Sequence, residues 1–322
     1  NWENMLIWNS IFINCVNKSS RNYFFNQIRN KSSMPFNLGP YLAGLIEADG
    51  HIAVHEKNSK SKKFRPKIIV IFNLADRPLA EKLCSILQAG KVTSESGLGY
   101  VSWKILAKQE VLKIINLING HMRTPKIEAL HRAINWINEN DYSSIDCLGL
   151  DLSPIDSNYW LSGFTDGDGN FSITLSDRKY KGEISGKKIQ TFFRIELKQN
   201  YSREVTENQG SNNYFDILTK ISSFFTVNLY TRARNQRDKV FYSYMVISHN
   251  KRSHEIVRTY FDKFPLYSSK HLAYKDWCTV QDLLNSQRRI TPDILEKITI
   301  IKSQFNNKRK NFNFSHLDSL TL

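Results

Sequence analysis

The stretch "YLAGLIEADGH" (residues 41–51) decides the fold, and "YWLSGFTDGDGN" (residues 159–170) repeats it. In each stretch a short apolar run ends in an acid, a small residue, an aspartate and a glycine. Asp49 and Asp168 therefore hold the same place in two copies of one pattern. The chain twice places an aspartate where a helix is expected to stop, and this repetition needs a physical reason.

Small residues recur on one face of each expected helix. Gly44 and Ala48 are four residues apart, as are Gly163 and Gly167, and this spacing puts each pair on one side of its helix. Small side chains in such a row let two helices approach closely. We predict that the two helices pack on each other, form the interface between two halves, and bring the two aspartates side by side.

The ends of these helices are unfavourable places for an anion. Gly50 and Gly169 follow the aspartates, where a left-handed cap residue is expected, so each carboxylate lies at the negative end of a helix macrodipole. A divalent cation would compensate both carboxylates, with helix-end carbonyl oxygens as further hard ligands. Glu47 and Asp166 are expected to accept local hydrogen bonds instead. An ordinary helix-to-strand turn is the alternative, and two matching copies weigh against it.

The rest of the chain follows the same repeat. Each copy reads helix, strand, strand, helix, strand, strand, helix, helix, which predicts an α+β fold of two pseudo-symmetric αββαββα(α) halves. Strands are indicated by runs such as "KIIVIFNL" and by a hairpin at Ser96-Gly97, and helices by apolar spacing as in "RPLAEKLCSILQ". The predicted divisions are an N-terminal extension (1–37), a first half (38–140), a linker (141–156), a second half (157–290) and a C-terminal helix with a basic tail (291–322).

The composition favours a polyanionic partner. The chain has 322 residues and a net charge of +15, with a pI near 9.5, and a folded protein this basic usually binds nucleic acid or an anionic surface. No uncharged apolar window of about 18 residues is present, so no membrane-spanning helix is expected. The four cysteines are scattered without the spacing of a zinc site. The richness in Asn, Ile, Lys, Phe and Tyr, whose codons are AT-rich, favours an organellar gene.

The two motifs resemble the signature of the LAGLIDADG homing endonuclease and intron-maturase family, and the resemblance covers roughly residues 38–290. It implies a pseudo-symmetric monomer in which each half presents a curved antiparallel sheet to the DNA major groove, with the two signature helices at the centre. The family's metal-binding aspartate matches Asp49 and Asp168. Ala48 and Gly167 match the positions whose backbone carbonyl groups lie at the metals.

The same resemblance implies further catalytic residues. Two or more Mg²⁺ ions between the aspartates would activate water and stabilise the departing 3′ oxygen on each strand. Lys126 and Lys270 resemble the family's basic active-site residues, and the alternative is a pair of solvated lysines at helix starts. Gln199 resembles a polar active-site residue at a strand end. The corresponding place in the first half is expected at Ala75, and this departure predicts unequal halves.

One face of each sheet is expected to contact DNA, because side chains alternate along a strand and a curved sheet fits the major groove. For any single residue, a solvated strand face is the alternative. The segment "DRKYKGEISGKK" (177–188) is predicted to be a loop that contacts phosphate. The predicted DNA-binding residues are His51, Ala53, His55, Lys57, Arg65 and Lys67 in the first half, and Asn170, Ser172, Thr174, Ser176, Arg178, Arg194, Glu196, Lys198, Arg232, Arg234, Lys239, Tyr242 and Tyr244 in the second.

Three functions stay open from the sequence. The first is a site-specific, metal-dependent endonuclease that cuts both strands of a long DNA target. The second is an RNA maturase that helps a host intron to fold, and the third is a catalytically inactive nucleic-acid-binding derivative. Asp49 and Asp168 favour cleavage, because a splicing factor does not need them. The expected partners are double-stranded DNA and, for a maturase, host intron RNA; we expect a monomer in mitochondria, with the plastid as the alternative.

Overall fold

Two copies of one order of helices and strands make up the part of the chain that the computed structural model describes. This part comprises residues 37–54, 65–94, 97–141, 144–205, 209–236, 239–286 and 289–321, and it belongs to one compact unit. The N-terminal extension predicted at 1–37 lies outside the described residues except for its last position. The other predicted divisions stay predictions.

The first half has the predicted order. Its elements are α1 (Leu38–Asp49), β1 (Gly50–Ala53), β2 (Lys67–Asn73), α2 (Arg77–Leu87), β3 (Lys91–Thr93), β4 (Tyr100–Ile105), α3 (Lys108–Ile118) and α4 (Ile127–Asp141). The strands form one antiparallel sheet in the order β1-β2-β4-β3. The pairing of β3 with β4 confirms the hairpin, although Ser96 itself lies outside the described residues.

The second half repeats that order. Its elements are α5 (Trp160–Asp168), β5 (Gly169–Tyr180), β6 (Glu183–Lys198), α6 (Phe215–Phe224), β7 (Leu229–Gln236), β8 (Lys239–Ser248), α7 (Lys251–Lys263) and α8 (Lys270–Ser286). The sheet order β5-β6-β8-β7 matches that of the first half. One more helix, α9 (Pro292–Ser303), follows and leads into a tail with two short 3₁₀ turns. The predicted α+β fold of two αββαββα(α) halves is confirmed.

Each sheet buries one face against the helices of its own half. In β4, Val101, Trp103 and Ile105 are fully buried while the alternate residues point to the other face, which is the period-two pattern of a half-buried strand. Phe171 and Phe193 are the cross-strand counterparts in the second half, with ring centroids 4.9 Å apart. This apolar burial supplies the main stabilisation of each half. In the described part of the chain, every helix is too short or too polar to cross a lipid bilayer.

The two signature helices, α1 and α5, cross at their small residues. A Cβ atom added to Gly44 would lie 2.1 Å from the carbonyl oxygen of Trp160, and one added to Gly163 would lie 1.9 Å from that of Tyr41. Backbone therefore touches backbone, and only glycine fits at these two positions. The predicted close packing of the helices through Gly44 and Gly163 is confirmed.

The glycines after the two aspartates differ from the prediction. Gly50 has φ −91° and Gly169 has φ −77°, so both are extended and the expectation of a left-handed cap was wrong. Glycine is needed there for space. A Cβ on Gly50 would lie 2.6 Å from the Cα of Ile46, and one on Gly169 would lie 2.4 Å from Cγ2 of Thr165. The chain passes directly from the helix into the first strand of each sheet.

The segment at 177–188 forms paired strand where the sequence predicted a loop. β5 and β6 continue outward through it in antiparallel register. Lys181 and Gly182 close the hairpin with φ values of 50° and 88°, and two positive φ values are the mark of a tight two-residue hairpin turn. The long hairpin carries its basic residues, among them Arg178, beyond the packed core, where they are exposed.

Candidate active site

Asp49 and Asp168 end the two signature helices next to each other. Each is the last residue of its helix, in α1 and α5 respectively. A Cβ on Gly167 would lie 2.3 Å from the Cβ of Ala48 and 3.2 Å from Oδ2 of Asp49. The Asp49 carboxylate therefore lies beside the last turn of the opposite helix. The packing brings Asp49, Asp168, Ala48 and Gly167 together, as the sequence predicted.

Two lysines bind the carbonyl groups at these helix ends. Nζ of Lys126 donates to the backbone oxygens of Ile46 (3.1 Å), Ala48 (3.4 Å) and Gly50 (3.0 Å). Cations are favoured at a helix C-terminus, where carbonyl groups lack partners. Lys126 is half-buried, so the alternative of a solvated lysine does not describe it.

Lys270 has the same arrangement in the second half. Its Nζ donates to the backbone oxygens of Thr165 (3.1 Å) and Gly167. The sequence argument assigned charge compensation at the aspartates to a metal alone. The structure adds two ammonium groups, so part of that compensation comes from the protein itself.

Charge compensation at the aspartates is nevertheless incomplete. Burial, and then the charge of Asp49, raise the pKa of Asp168 to about 6, although Lys270 and Lys126 oppose this shift. Burial likewise raises the pKa of Asp49. Burial also lowers the pKa of both lysines. The site therefore stabilises further positive charge between the aspartates.

The available donor set fits a divalent cation. The carboxylates of Asp49 and Asp168 and the backbone oxygens of Ala48 and Gly167 are hard oxygen ligands of the kind that Mg²⁺ and Ca²⁺ prefer. Among the described residues, no group of three or more His, Cys, Asp or Glu side chains could hold a metal. The role of the two aspartates and the two carbonyl groups as metal ligands stays a prediction.

Two cavities flank the helix ends, one on each side. The first, of about 780 Å³, is lined by Ala48, Lys126 and Asp168 together with His51 and Lys198. It therefore combines the lysine of one half with the aspartate of the other.

The second cavity, of about 610 Å³, is lined by Lys270, Asp76 and Asn170. Asn306 and Arg309 of the C-terminal tail also line it. The two cavities therefore differ in their lining residues, and unequal cleavage of the two strands stays a prediction.

The first acids of the two motifs bind protein groups. Glu47 accepts hydrogen bonds from the backbone N–H groups of Arg123 (2.9 Å) and Thr124 (2.6 Å), and from Nε1 of Trp160 (2.5 Å). Burial raises the pKa of Glu47 to about 7, against these hydrogen bonds. The prediction that this acid accepts hydrogen bonds is confirmed, but its partners are distant in sequence and not local.

Asp166 has the matching set of partners. It accepts from the backbone N–H groups of Tyr267 (2.8 Å) and Ser268 (3.1 Å), from Oγ of Ser268 (2.5 Å) and from the hydroxyl of Tyr41 (2.8 Å). Burial raises its pKa. Glu47 and Asp166 thus have their oxygens occupied by protein donors.

Gln199 follows β6 and is held through its backbone. Its N–H donates to the carbonyl of Tyr242 and its carbonyl accepts from Tyr214. The neighbouring Lys198 lines the cavity that contains Asp168. The catalytic role of Gln199 stays a prediction.

The first-half counterpart of Gln199 is Leu74. Val70 pairs with Gly50 and Trp103, as Ile195 pairs with Gly169 and Val246. This register places Leu74, rather than the expected Ala75, opposite Gln199, and the sequence comparison was one residue out. Leu74 is apolar and 49% exposed, so the first half presents an apolar side chain where the second half has Gln199.

Asp76 is a site residue that the sequence analysis missed. It is 7% exposed, and its Oδ1 accepts from the backbone N–H of Ser269, next to Lys270. Burial raises its pKa, while Ser269 and Lys270 lower it. In the sequence, Asp76 stands just before Arg77 and the proline at the start of α2, and an acid there is typical of an ordinary helix start. The contact of Asp76 with the second half depends on tertiary packing, which the sequence does not reveal.

The polar face of the second sheet is largely as predicted. In β5, Asn170, Ser172, Thr174, Ser176 and Arg178 alternate with residues that face the core. Arg194, Glu196 and Lys198 continue this face on β6, and Arg232, Arg234 and Lys239 continue it on β7 and β8. Their contacts with DNA stay a prediction.

Glu196 organises the arginines on this face. Its carboxylate lies 2.6 Å from Arg234, 3.5 Å from Arg232 and 3.8 Å from Arg194, and it also accepts from the hydroxyl of Ser243 at 2.9 Å. The Glu196 side chain is only 14% exposed, whereas the three arginines are 38% to 51% exposed. The acid therefore orients three guanidinium groups toward solvent.

Tyr242 and Tyr244 lie on the opposite face from the one predicted. Tyr244 pairs with Leu197, so it shares the face of the buried core residue Val246, and its ring packs 5.7 Å from that of Phe215. Tyr242 has the same parity on β8, whereas Lys239 has the other. The assignment of both tyrosines to the DNA-reading face is therefore corrected by the strand alternation itself.

The polar face of the first sheet holds three of its predicted residues. His51 and Ala53 alternate with buried Ile52, and Lys67 pairs with Ala53. Arg65 precedes β2 and is exposed, whereas the predicted contacts His55 and Lys57 lie outside the described residues. The sequence analysis missed Lys91, Thr93, Ser102 and Lys104 on this face, although the alternation in "YVSWKI" could have revealed the last two.

Comparison with known proteins agrees with this geometry. A sequence profile described as LAGLIDADG endonuclease matches residues 42–137 and 161–281. Intron-encoded DNA endonuclease aI3 of Saccharomyces cerevisiae is 38% identical over 88% of this chain and 73% of its own length. Intron-encoded RNA maturase bI4 of the same yeast is 27% identical over 59% of this chain and 26% of its own length. Other relatives are named for a cox1 intron or described as mitochondrial.

A solved structure shares the fold. The crystal structure of the LAGLIDADG homing endonuclease I-LtrWI bound to target DNA superimposes with a TM-score of 0.63, over 85% of this chain and 99% of that one. The sequence identity is 17%, so the likeness concerns the architecture of two halves around a central helix pair.

Proposed function

The chain belongs to the LAGLIDADG endonuclease family, and from that premise we propose that it is a site-specific endonuclease that hydrolyses both strands of a long double-stranded DNA target. The observation that carries the proposal is the pairing of Asp49 with Asp168 at the helix ends, each side supplied with a half-buried lysine. A pair of like charges is costly, and a protein that only binds nucleic acid has no use for it.

The shape and charge of the molecule suit a DNA duplex. Each half presents a four-stranded sheet with one polar face, and a sheet of this kind can enter the major groove. The net charge of +15 favours association with a polyanion. Because both motifs are on one chain, a monomer suffices to reach both strands.

Members of this family depend on divalent metal, and we propose Mg²⁺, in two or more ions, for this chain. The carboxylates of Asp49 and Asp168 and the carbonyl groups of Ala48 and Gly167 would hold it. When bound, it supplies Lewis acidity toward the phosphate and the attacking water. The raised pKa of Asp168 supports the assignment, since a cation there relieves carboxylate repulsion.

The lysines take the remaining role at each phosphate. Lys126 and Lys270 keep a positive charge at the two helix ends, where it would stabilise the charge that develops on the phosphate during hydrolysis. Burial lowers the pKa of both ammonium groups, so each is closer to exchanging a proton with a nearby water. Each lysine would serve one DNA strand, because the pseudo-twofold axis relates both lysines and both strands.

The test is cleavage of a duplex that spans the joined exons flanking the coding sequence of this protein. With purified protein and Mg²⁺, we expect one double-strand break, lost in Asp49→Asn and in Asp168→Asn. Asp146→Asn, an exposed position in the linker, is the matched control and should cut normally. Failure of the unsubstituted protein to break this duplex with either Mg²⁺ or Mn²⁺ would contradict the proposal.

An RNA maturase is the second candidate, favoured by the relative that bears that name. The same preparation should then bind the host intron RNA tightly and with strong salt dependence, and accelerate its splicing. Splicing activity that survives Asp49→Asn and Asp168→Asn would separate this function from cleavage.

A mitochondrial location is proposed on two grounds. Relatives of the chain are named for a cox1 intron or described as mitochondrial, and the composition is rich in residues with AT-rich codons. Fractionation of the source cells, with the protein detected by antibody in purified mitochondria, is the direct measurement.

A further inference from the structure

Each signature helix binds the other through an acid and an aromatic residue, in a reciprocal pattern. Glu47 on α1 accepts from the indole of Trp160 on α5 at 2.5 Å, and Asp166 on α5 accepts from the hydroxyl of Tyr41 on α1 at 2.8 Å. Trp160 and Tyr41 occupy the same position in the two motifs. This is the contact pattern of a twofold interface, in which residue i meets j and j meets i.

Each acid also holds the turn that precedes a lysine. Glu47 accepts from the backbone N–H of Thr124, and Oγ1 of Thr124 in turn accepts from the backbone N–H of Lys126 at 3.3 Å. The position of Lys126 is thus set by two successive hydrogen bonds that start at Glu47.

The second half repeats this chain of contacts. Asp166 accepts from the backbone N–H of Ser268, and Oγ of Ser268 accepts from the backbone N–H of Lys270 at 3.2 Å. Thr124 and Ser268 are equivalent hydroxyl residues two positions before the lysine. Two unrelated accidents would not produce the same connection in both halves.

We propose that Glu47 and Asp166 are positioning residues that set each catalytic lysine against the opposite signature helix. Trp160 and Tyr41 are the donors through which the opposite helix enters this connection. Glu47 is 3% exposed and Asp166 is 6% exposed. Their oxygens accept hydrogen bonds from protein donors, so both acids act here through the groups they hold.

Through these hydrogen bonds, a change at the interface between the two signature helices would alter the position of one lysine without the other. Loss of the Trp160 donor frees Oε2 of Glu47, while Oε1 still accepts from the N–H of Thr124. Loss of the Tyr41 hydroxyl leaves Oδ2 of Asp166 with the Tyr267 N–H alone, while Oδ1 still accepts from Ser268. In each case the carboxylate that holds the lysine turn loses one of its hydrogen bonds. This consequence for catalysis rests on the proposed endonuclease, in which each lysine serves one strand. A buried group that loses one hydrogen bond shifts locally, and a small misplacement of a reacting group slows the chemical step strongly.

The test compares Trp160→Phe with Tyr41→Phe, which remove one donor each and keep an aromatic ring. A joined-exon duplex with a different fluorophore on each strand is cut in single turnover with Mg²⁺. We expect Trp160→Phe to slow one strand about tenfold and Tyr41→Phe to slow the other strand by a similar factor. The affinity for the duplex, measured by anisotropy in Ca²⁺, should not change. Equal slowing of both strands in each variant, or no slowing, would overturn the proposal.

A matched control removes a buried donor elsewhere. Trp103→Phe deletes an indole bond to the carbonyl of Ala89 (2.8 Å). It should lower the melting temperature without strand bias, because this bond lies within the first half, away from both lysine turns.

A second readout needs no DNA. The ammonium resonances of isotope-labelled lysine, assigned with Lys126→Arg and Lys270→Arg, report the surroundings of each Nζ directly. Trp160→Phe should shift the Lys126 resonance and Tyr41→Phe the Lys270 resonance. If the unsubstituted protein cuts neither strand, the endonuclease proposal fails, and these shifts still decide whether the acids position the lysines. Unchanged resonances in both variants would refute the positioning role.

Discussion

Gly163 in the second signature helix lies directly against the carbonyl oxygen of Tyr41 in the first, so that an added Cβ would sit 1.9 Å from that oxygen. No real side chain occupies such a space, and the neighbouring atom is backbone. The contact therefore fixes how closely the two helices approach. Since both aspartates are at the ends of these helices, it also fixes the width of the active site.

Replacement of Gly163 by alanine should destabilise the whole molecule. The added methyl group forces the helices apart, and overpacking of this kind typically costs about 1–3 kcal/mol or more. Urea unfolding followed by circular dichroism measures the change. Gly149→Ala is the control, since a Cβ there meets no atom within 4 Å. Equal midpoints for the two variants would show that the helices can separate freely.

Replacement of Asp168 by asparagine should stabilise the metal-free protein at neutral pH. The pKa of Asp168 is raised to about 6 in the folded state, so between about pH 4 and pH 6 the folded protein binds more protons than the unfolded one. Its unfolding free energy consequently falls as the pH rises through that window. Asparagine does not ionise, so Asp168→Asn avoids this loss of unfolding free energy, which amounts to about 3 kcal/mol at most.

Denaturant unfolding in EDTA, at the two ends of that pH window, tests this expectation. The gain should appear at neutral pH and vanish in acid. Asp146→Asn, at an exposed linker position, should show no such pH-dependent gain. A destabilised Asp168→Asn protein at neutral pH would mean that the lysines already compensate the carboxylates fully.

Cleavage and metal binding should decline together in acid. A cation binds the ionised carboxylates, and protonation of Asp168 near its pKa of about 6 competes with it. Below about pH 6 we expect the affinity for Mn²⁺, measured by calorimetry, to fall about tenfold per pH unit, with proton release on binding near neutral pH. Affinity for DNA without metal should not fall over the same range. A flat metal affinity would remove Asp168 from the ligand set.

The arginines on the second sheet should contribute to DNA binding, and Tyr242 should not. Arg234 lies on the polar face with its guanidinium 2.6 Å from Glu196, whereas Tyr242 is 58% exposed on the other face. Arg234→Ala should weaken binding of the joined-exon duplex about tenfold and, if it contacts phosphate, reduce the salt dependence by about one counterion. Tyr242→Ala is the matched control. Anisotropy titrations at several salt concentrations measure the affinity of both variants. If Tyr242→Ala lost as much affinity as Arg234→Ala, the assignment of DNA binding to the polar face would be contradicted.

The central pair of aspartates could be predicted from sequence because its causes are local. Gly44 and Gly163 mark the face of each helix that another backbone touches, and the helical period carries that face to Asp49 and Asp168. Lys126 and Lys270 were found through the repeat, as equivalent positions in two copies. Periodicity and repetition can be read from residue types alone.

The misplaced faces of Tyr242 and Tyr244 could have been avoided from the alternation within β8. Other errors arose where geometry beyond one element decides. Gly50 was expected to need a left-handed backbone, but the constraint is the distance to Ile46 in the preceding turn. The equivalence of Gln199 with Leu74 depends on the register of two sheets, and one residue of error reverses the face of a strand. Asp76 was missed because its partner Ser269 lies in the other half.

By itself, the sequence determined the two-copy architecture, the basic character of the chain and the candidate catalytic residues, since helix and strand periods and net charge are properties of the chain read in order. Tertiary structure alone decided which donors the buried acids bind. Glu47 meets Trp160, and Asp166 meets Tyr41, across more than a hundred residues of chain. The physical reason is that a buried carboxylate must find hydrogen-bond donors wherever packing places them, and packing distances have no local signature in the sequence.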